Sequence, residues 1–300
     1  MKHIPFPPKC VQAICCLASV LFLWSACSKQ DEFEYIDDTE SATGGEAVTA
    51  TDENGNKVTL TPGSVIGIYV VGEDGSVILK QVVVDENGNA VLPASTAGNS
   101  IIAYTPYQED WGDDALTSNP VFTVKSNQST KELFAASDLM IGIRTETTRA
   151  DNNTGGMVFH HMLAKVAVHI IDETGQVDLN RISAELLNVN NSVRVHLMEQ
   201  KVSTIEEQRT NINMLAEMIT DWRVSSYAIV APQYIAEGSD FLAITLYGSK
   251  EIYPIPQAAT LESGKTYTIN MRLTEHGLMP DGWSITDWDE EGEENLNIRN

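Results

Sequence analysis

The chain has 300 residues, 42 of them acidic and 19 basic, and carries a formal charge of −23 at neutral pH. That excess of carboxylates excludes nucleic acid as a default partner, and a 42% apolar composition at this length excludes wholesale disorder. All four cysteines, Cys10, Cys15, Cys16 and Cys27, lie within the first 27 positions, so no internal disulfide, thiolate zinc site or cysteine nucleophile exists further along.

The first element is an address. Lys2 and Lys9 precede an uncharged, mostly apolar stretch of fourteen residues from Val11 to Trp24, shorter than the roughly 20 residues that span a bilayer. This is a signal-peptide length, with a retained membrane anchor as the alternative. Ser25-Ala26-Cys27 follows and resembles a bacterial lipobox, with Trp24 where an aliphatic residue is usual. Cleavage between Ala26 and Cys27 would leave Cys27 as a lipidated mature N-terminus. Each buried acyl methylene contributes about 0.8 kcal/mol, so two or three chains hold a protein to a membrane essentially permanently. Losing residues 1–26 removes two lysines and no acid, which makes the mature chain more acidic still.

Residues 27–46 form an acidic tether carrying Asp31, Glu32, Glu34, Asp37, Asp38 and Glu40, too polar to order itself by burial. An acidic run after a lipidated cysteine resembles the surface-export signal of Bacteroidetes lipoproteins; a plain solvated spacer facing the periplasm is the alternative.

From Val48 short β-rich runs alternate with turn residues: Val58–Leu60, Val65–Val71, Val77–Val84, Ala90–Leu92, Ile101–Tyr104 and Val121–Val124. Such spacing predicts an all-β sandwich. Asp52-Glu53-Asn54-Gly55-Asn56 recurs as Asp85-Glu86-Asn87-Gly88-Asn89, and in both copies Asn-Gly suits a tight hairpin turn. An EF-hand is excluded, because its glycine stands sixth from the first aspartate and here it stands fourth. The polar stretch Arg144–Gly156 is the best boundary, separating an N-terminal domain, 47–146, from a C-terminal one, 157–288, with an acidic tail at 289–300. Further strands are expected at Ala164–Ile171, Arg181–Leu187, Ser192–Leu197, Tyr227–Ala231, Phe241–Tyr247 and Thr266–Leu273. Ile205, Gln208, Ile212, Leu215 and Ile219 fall at helical spacing and predict one amphipathic helix over Thr204–Ile219, a short helical insertion in the second domain.

Candidate chemistry is sparse. His160, His161 and His169 are the clustered histidines, but a strand separates the last two by about 26 Å at ~3.3 Å per residue, so they are assigned structural roles. The chain contains no G-x-S-x-G elbow, H-E-x-x-H pair, Walker loop or dinucleotide fingerprint, and it is read as a non-enzyme without cofactor or metal. Asp287, Asp289, Glu290, Glu291, Glu293 and Glu294 form a solvated run rather than a cation loop. Trp111, Trp283 and Trp288 could stack on sugars, but packing is the plainer reading.

A resemblance then emerges. Asn127-Gln128-Ser129-Thr130, Ala136-Ser137-Asp138-Leu139-Met140-Ile141-Gly142, Phe159-His160-His161-Met162-Leu163-Ala164-Lys165-Val166, Ile229-Val230-Ala231-Pro232-Gln233, Leu261–Ile269 and Ile285-Thr286-Asp287-Trp288 come in the order of the landmarks of the fimbrillin family of Bacteroidetes. The resemblance implies two transthyretin-like β-sandwiches, lipid-anchored export to the outer membrane and cell surface, and assembly with other fimbrial subunits by donor-strand exchange. A subunit so built is stalk, tip or anchor of a fimbrium. The alternative is a surface lipoprotein that binds a glycan or a host or bacterial protein without polymerising.

The family pattern also implies removal of the anchor and first strand by an arginine-specific protease. Here the first arginine is Arg144, and the basic residue near the first strand is Lys57. A cut between Lys57 and Val58 would free residues 27–57; an ordinary surface lysine is the alternative. Leu296 and Ile298 alternate, but after a dense acidic run they make a poor donor strand.

Overall fold

The computed structural model describes residues 46–48, 50–51, 60, 62–92, 100–144 and 157–288. The fold is all-β, as the alternation predicts. Strands β1 (Glu46–Val48), β2 (Ala50–Thr51), β3 (Val65–Val71), β4 (Val77–Val83), β5 (Ala90–Leu92) and β6 (Ser100–Thr105) are followed by a short helix α1 (Ala115–Ser118). Next come β7 (Val121–Thr123), helix α2 (Lys131–Ala135), β8 (Met140–Arg144) and β9 (Met157–His161). A six-stranded sheet runs in the order β2-β9-β8-β6-β3-β4.

The sequence of β3, Val-Ile-Gly-Ile-Tyr-Val-Val, lacks polar alternation because both of its faces are covered. Ile66, Ile68 and Val70 join Ile101, Ala103, Met140 and Phe159 in one core cluster. Tyr69 points the other way and joins Ile102, Tyr104 and Ile141 in a second cluster that continues into the rest of the chain. Successive strand residues face opposite sides, so two covers require apolar residues at every position. Gly67 is glycine for a different reason: a Cβ there would stand 2.1 Å from Cε1 of Tyr104, whose ring occupies the space.

The remaining strands are β10 (Ala164–Asp172), β11 (Ile182–Asn190), β12 (Ser192–His196), β13 (Lys201–Thr204), β14 (Arg209–Asn213), β15 (Leu215–Thr220), β16 (Arg223–Val230), β17 (Gln233–Ile235), β18 (Asp240–Leu246), β19 (Ser249–Pro254), β20 (Ala259–Leu261), β21 (Lys265–Thr274) and β22 (Gly277–Asp287). They build a five-stranded sheet, β15-β16-β10-β21-β22, and a four-stranded sheet, β14-β11-β18-β19. Their shared core includes Val166, Val168, Ile170, Leu186, Ile212, Ala228 and Leu242. Smaller sheets are β13-β12-β7, β17-β20 and β1-β5.

One local expectation fails. Thr204–Ile219 is not a helix: it contains the end of β13, all of β14 and most of β15. Within β14 the alternation is plain, with Ile212 and then Met214 buried while Arg209, Asn211 and Asn213 are exposed. The next strand starts at once with Leu215 buried. That one-residue change of phase places apolar residues three and four apart, which imitates a helical stripe. The helices that form are α1 and α2, in the first half; the second half has only single 3-10 turns at Leu179–Arg181 and Leu197–Glu199 among the described residues.

The two halves interleave. Met157–His161, which opens the second half in sequence, pairs antiparallel with β8 in the six-stranded sheet. In the reverse direction β7 pairs with β12. All described residues fall in one compact unit.

Candidate assembly site

The first strand divides itself between two sheets. β1 runs antiparallel to β5, with Glu46 opposite Leu92 and Val48 opposite Ala90. Two residues later β2 runs parallel to β9, with Ala50 opposite Met157 and Thr51 opposite Val158. β5 has β1 as its sheet partner, and β2 is the terminal strand beside β9. Ala90 and Met157, the residues opposite Val48 and Ala50, both belong to the core cluster that contains Leu60, Ile66, Ile68, Val82 and Phe159. β1 and β2 therefore cover one edge in each of two sheets, and the partners Ala90 and Met157 share one apolar cluster. Such edges, once uncovered, are templates for another strand.

Cys27, Ala26, Lys57 and Val58 lie outside the described residues, as do the leader, most of the tether, the turn at Asn54-Gly55 and the tail at 289–300. The homologous turn is described. Asp85 N–H donates to Asn89 O at 2.8 Å, Gly88 N–H donates to Asp85 O at 3.0 Å, and the Asp85 carboxylate accepts from the N–H groups of Asn87 and Asn89, both at 2.8 Å. Gly88 has φ +75° while Asn87 does not enter the left-handed region, so a single glycine supplies the reversal. Those N–H bonds hold the Asp85 carboxyl below its ordinary range. Arg144, the first arginine of the chain, closes β8 opposite Ile101 and is only 4% exposed. A protease must draw out an extended backbone, so this arginine is poorly placed for one.

The motif residues turn out to be fasteners. Gln128 is fully buried: its Oε1 accepts from Ile229 N–H at 2.8 Å and its Nε2 donates to Ile229 O at 2.8 Å and Lys125 O at 3.1 Å. Gln233 does the same for β11, accepting from Asn190 N–H at 2.9 Å and donating to Asn190 O at 3.2 Å and Ala231 O at 2.9 Å. Thr130 caps α2 by accepting from Leu133 N–H. Asp138 meets Nδ1 of His161 at 2.8 Å, and the His161 ring stacks on Trp288 at 4.2 Å between centroids. Lys165 Nζ donates to Trp288 O at 3.0 Å and lies 5.1 Å from the indole centroid. Lys265 donates to Asp287, a bond that raises the lysine's pKa above its usual value. The motifs containing Asp138, His161 and Lys165, Lys265, and Asp287 and Trp288 thus meet around Trp288, while those containing Gln128 and Gln233 fasten β16 and β11.

His161 and His169 do not share a site. His161 lies in the six-stranded sheet, whereas His169 lies on β10 and meets Ser225 Oγ at 2.7 Å. No group of three or more His, Cys, Asp or Glu side chains is placed to hold a metal among the described residues. Trp111 and Trp288 are buried, which removes both from sugar stacking; Trp283 is half-buried. No described helix is long and apolar enough to cross a membrane.

Sequence reasoning missed an apolar groove where β18 and β19 face β21 and β22. Phe241, Tyr253, Ile255, Met271, Pro280 and Trp283 are among its walls, and it encloses about 610 Å³ with its open mouth included. β19 and β22 are the last strands of their sheets on this side. On the opposite side Met214 alone separates β14 from β15, so the chain itself joins the two sheets there. Register shifts between Asn270 and Met271 on β21 and at the first pair of β18 with β19 mark this side as irregular. Only the β22 end carried a sequence signal, through its closing motif.

The sequence pattern of fimbrillin-like proteins matches residues 48–288. Solved structures share the fold. A candidate cell-adhesion protein from Bacteroides uniformis is 18% identical with a TM-score of 0.57, over 82% of this chain and 99% of that one. Another from Bacteroides ovatus is 13% identical with a TM-score of 0.59, over 83% of this chain and 98% of that one. No curated protein matches the chain.

Proposed function

The chain belongs to the fimbrillin-like family, and from that premise we propose that it is a structural subunit of a surface fimbria, exported as a lipoprotein on Cys27 and joined to its neighbours by strand exchange. The observation that carries this reading is the double pairing of the first strand, β1 with β5 and β2 with β9. One cut downstream of Thr51 would release both pairings in a single event. The incoming strand of another subunit would then recover main-chain bonds at about 0.5–1.5 kcal/mol net each, together with apolar contacts. Lys57 stands between β2 and Leu60 and is the basic residue available for that cut.

In this reading residues 47–146 and 157–288 are two sandwich domains, and the protein needs no cofactor and performs no catalysis. Its partners are other subunits, the outer membrane through the lipid, and a surface ligand if it sits at a tip. N-terminal sequencing of protein shed from cells, combined with electrophoresis of heated and unheated surface material, tests the proposal. A terminus at Val58 in heat-resistant ladders supports it. Intact acylated Cys27 on a protein that never enters a ladder favours an anchored, binding lipoprotein instead.

A further inference from the structure

The six-stranded sheet has β2 at one end and β4 at the other; β5 meets β4 just past its last residue, through the bridge between Val84 and Ala90, and Val77–Gln81 is the part of that edge without a strand beside it. β4 reads Val-Ile-Leu-Lys-Gln-Val-Val, and Ile78 and Val83 are 53% and 58% exposed. A β-branched, weakly charged edge of this kind invites pairing with another chain. The phase of its ladder follows from two bonds, Gly72 N–H to Ser76 O and Val84 N–H to Ser64 O, both 2.9 Å. Bonded pairs recur every second residue in an antiparallel ladder. Ile78, Lys80 and Val82 therefore turn their backbone groups toward β3, while Leu79 and Gln81 turn theirs outward.

One of those outward groups is occupied. Leu79 N–H donates to Asp113 Oδ1 at 3.0 Å. Two fasteners hold Asp113 in that place. The buried Trp111 ring lies 4.8 Å from that of Tyr104, and Tyr69 Oη donates to Gly112 O at 3.1 Å. Beside it, Gln81 Nε2 donates to Tyr107 Oη at 2.9 Å, so residues 107–113 lie along the strand's outer side. The same segment carries Glu109 and Asp110, and Asp114 follows it, negative charge that an identical edge would have to approach.

We propose that Asp113 is an edge guard: by holding the outward N–H of Leu79 it prevents β4 from pairing with β4 of a second copy of this chain. The guard confines strand pairing in this sheet to its other end, where β2 lies beside β9. The inference stands apart from strand exchange at that slot, because it concerns the opposite edge and the intact chain.

Sedimentation equilibrium of the uncleaved protein over a concentration series tests it, with circular dichroism to verify folding. The wild type and Asp113→Asn, whose amide oxygen still accepts from Leu79, are expected to keep the monomer mass. Asp113→Ala is expected to rise toward twice that mass with concentration. Asp113→Ala combined with Gln81→Pro is expected to return to the monomer, because proline removes an N–H that faces outward and costs the sheet no ladder bond. The proposal is overturned if Asp113→Ala stays monomeric, if Asp113→Asn associates as strongly as the alanine variant, if the double variant still dimerises, or if the wild type dimerises and Gln81→Pro abolishes it.

Discussion

Gln128 and Ile229 are joined as two strand residues would be: the side-chain amide of one exchanges two hydrogen bonds, each 2.8 Å, with the backbone N–H and C=O of the other. A primary amide has the same donor and acceptor geometry as a peptide group, so one side chain completes the edge of β16 where no strand runs. This explains why glutamine stands in the motif at Asn127–Thr130.

Gln128→Ala leaves a buried N–H and a buried C=O without partners, each worth about 1–3 kcal/mol. A loss of about 2–4 kcal/mol in urea unfolding is expected. Gln128→Glu keeps the acceptor and loses the donor, so its loss at neutral pH should partly recover when the carboxyl is protonated. Equal stability of Gln128→Ala and wild type would refute the pairing.

Gly67→Ala is expected to destabilise by about 1–3 kcal/mol through overpacking, since its Cβ would meet the Tyr104 ring. Combining it with Tyr104→Leu should cost less than the sum of the two changes. A double-mutant cycle with no coupling would show that the ring is not the obstacle.

Asp172 closes β10 and accepts from Thr174 N–H at 2.8 Å, Thr174 Oγ at 2.6 Å and Val177 N–H at 3.0 Å. Burial pushes its carboxyl pKa up, but these bonds outweigh burial and leave it below the ordinary value. A folded pKa below the unfolded one, about 3.9, gives stability that is fully present above the unfolded value and is lost as pH falls through the folded one. The stability gap between wild type and Asp172→Asn should thus be constant near neutrality and shrink on acidification. A gap unchanged at low pH would assign it to shape rather than charge.

A chain beginning at Val58 lacks β1 and β2. Hydrogen exchange should speed up in β5 and β9 and an environment-sensitive apolar dye should bind, while β10 and β21, buried in the other sheet, keep their protection. Unchanged exchange in β5 and β9 would mean that the first strand covers nothing that matters to them.

Residues that act through their neighbours along the chain were legible in the sequence. The β-rich run Val65–Val71 announced β3, and Asn87-Gly88 announced the turn at Asp85–Asn89, although Gly88 alone takes the positive φ expected of both. The acidic balance, the leader pattern and the clustering of cysteines before position 28 also belong to the sequence alone. What the tertiary structure decided is which elements meet. Alternation reports the face a residue occupies and carries no label for its partner. His161 could not reveal Trp288, nor Gln128 Ile229, across more than a hundred residues. The same limit produced the false helix at Thr204–Ile219, where two strands of opposite phase adjoin at Met214. The first strand is the clearest case. Its six residues hold too little pattern to specify even one neighbour, and only the folded chain assigns them two, β5 and β9, in different sheets.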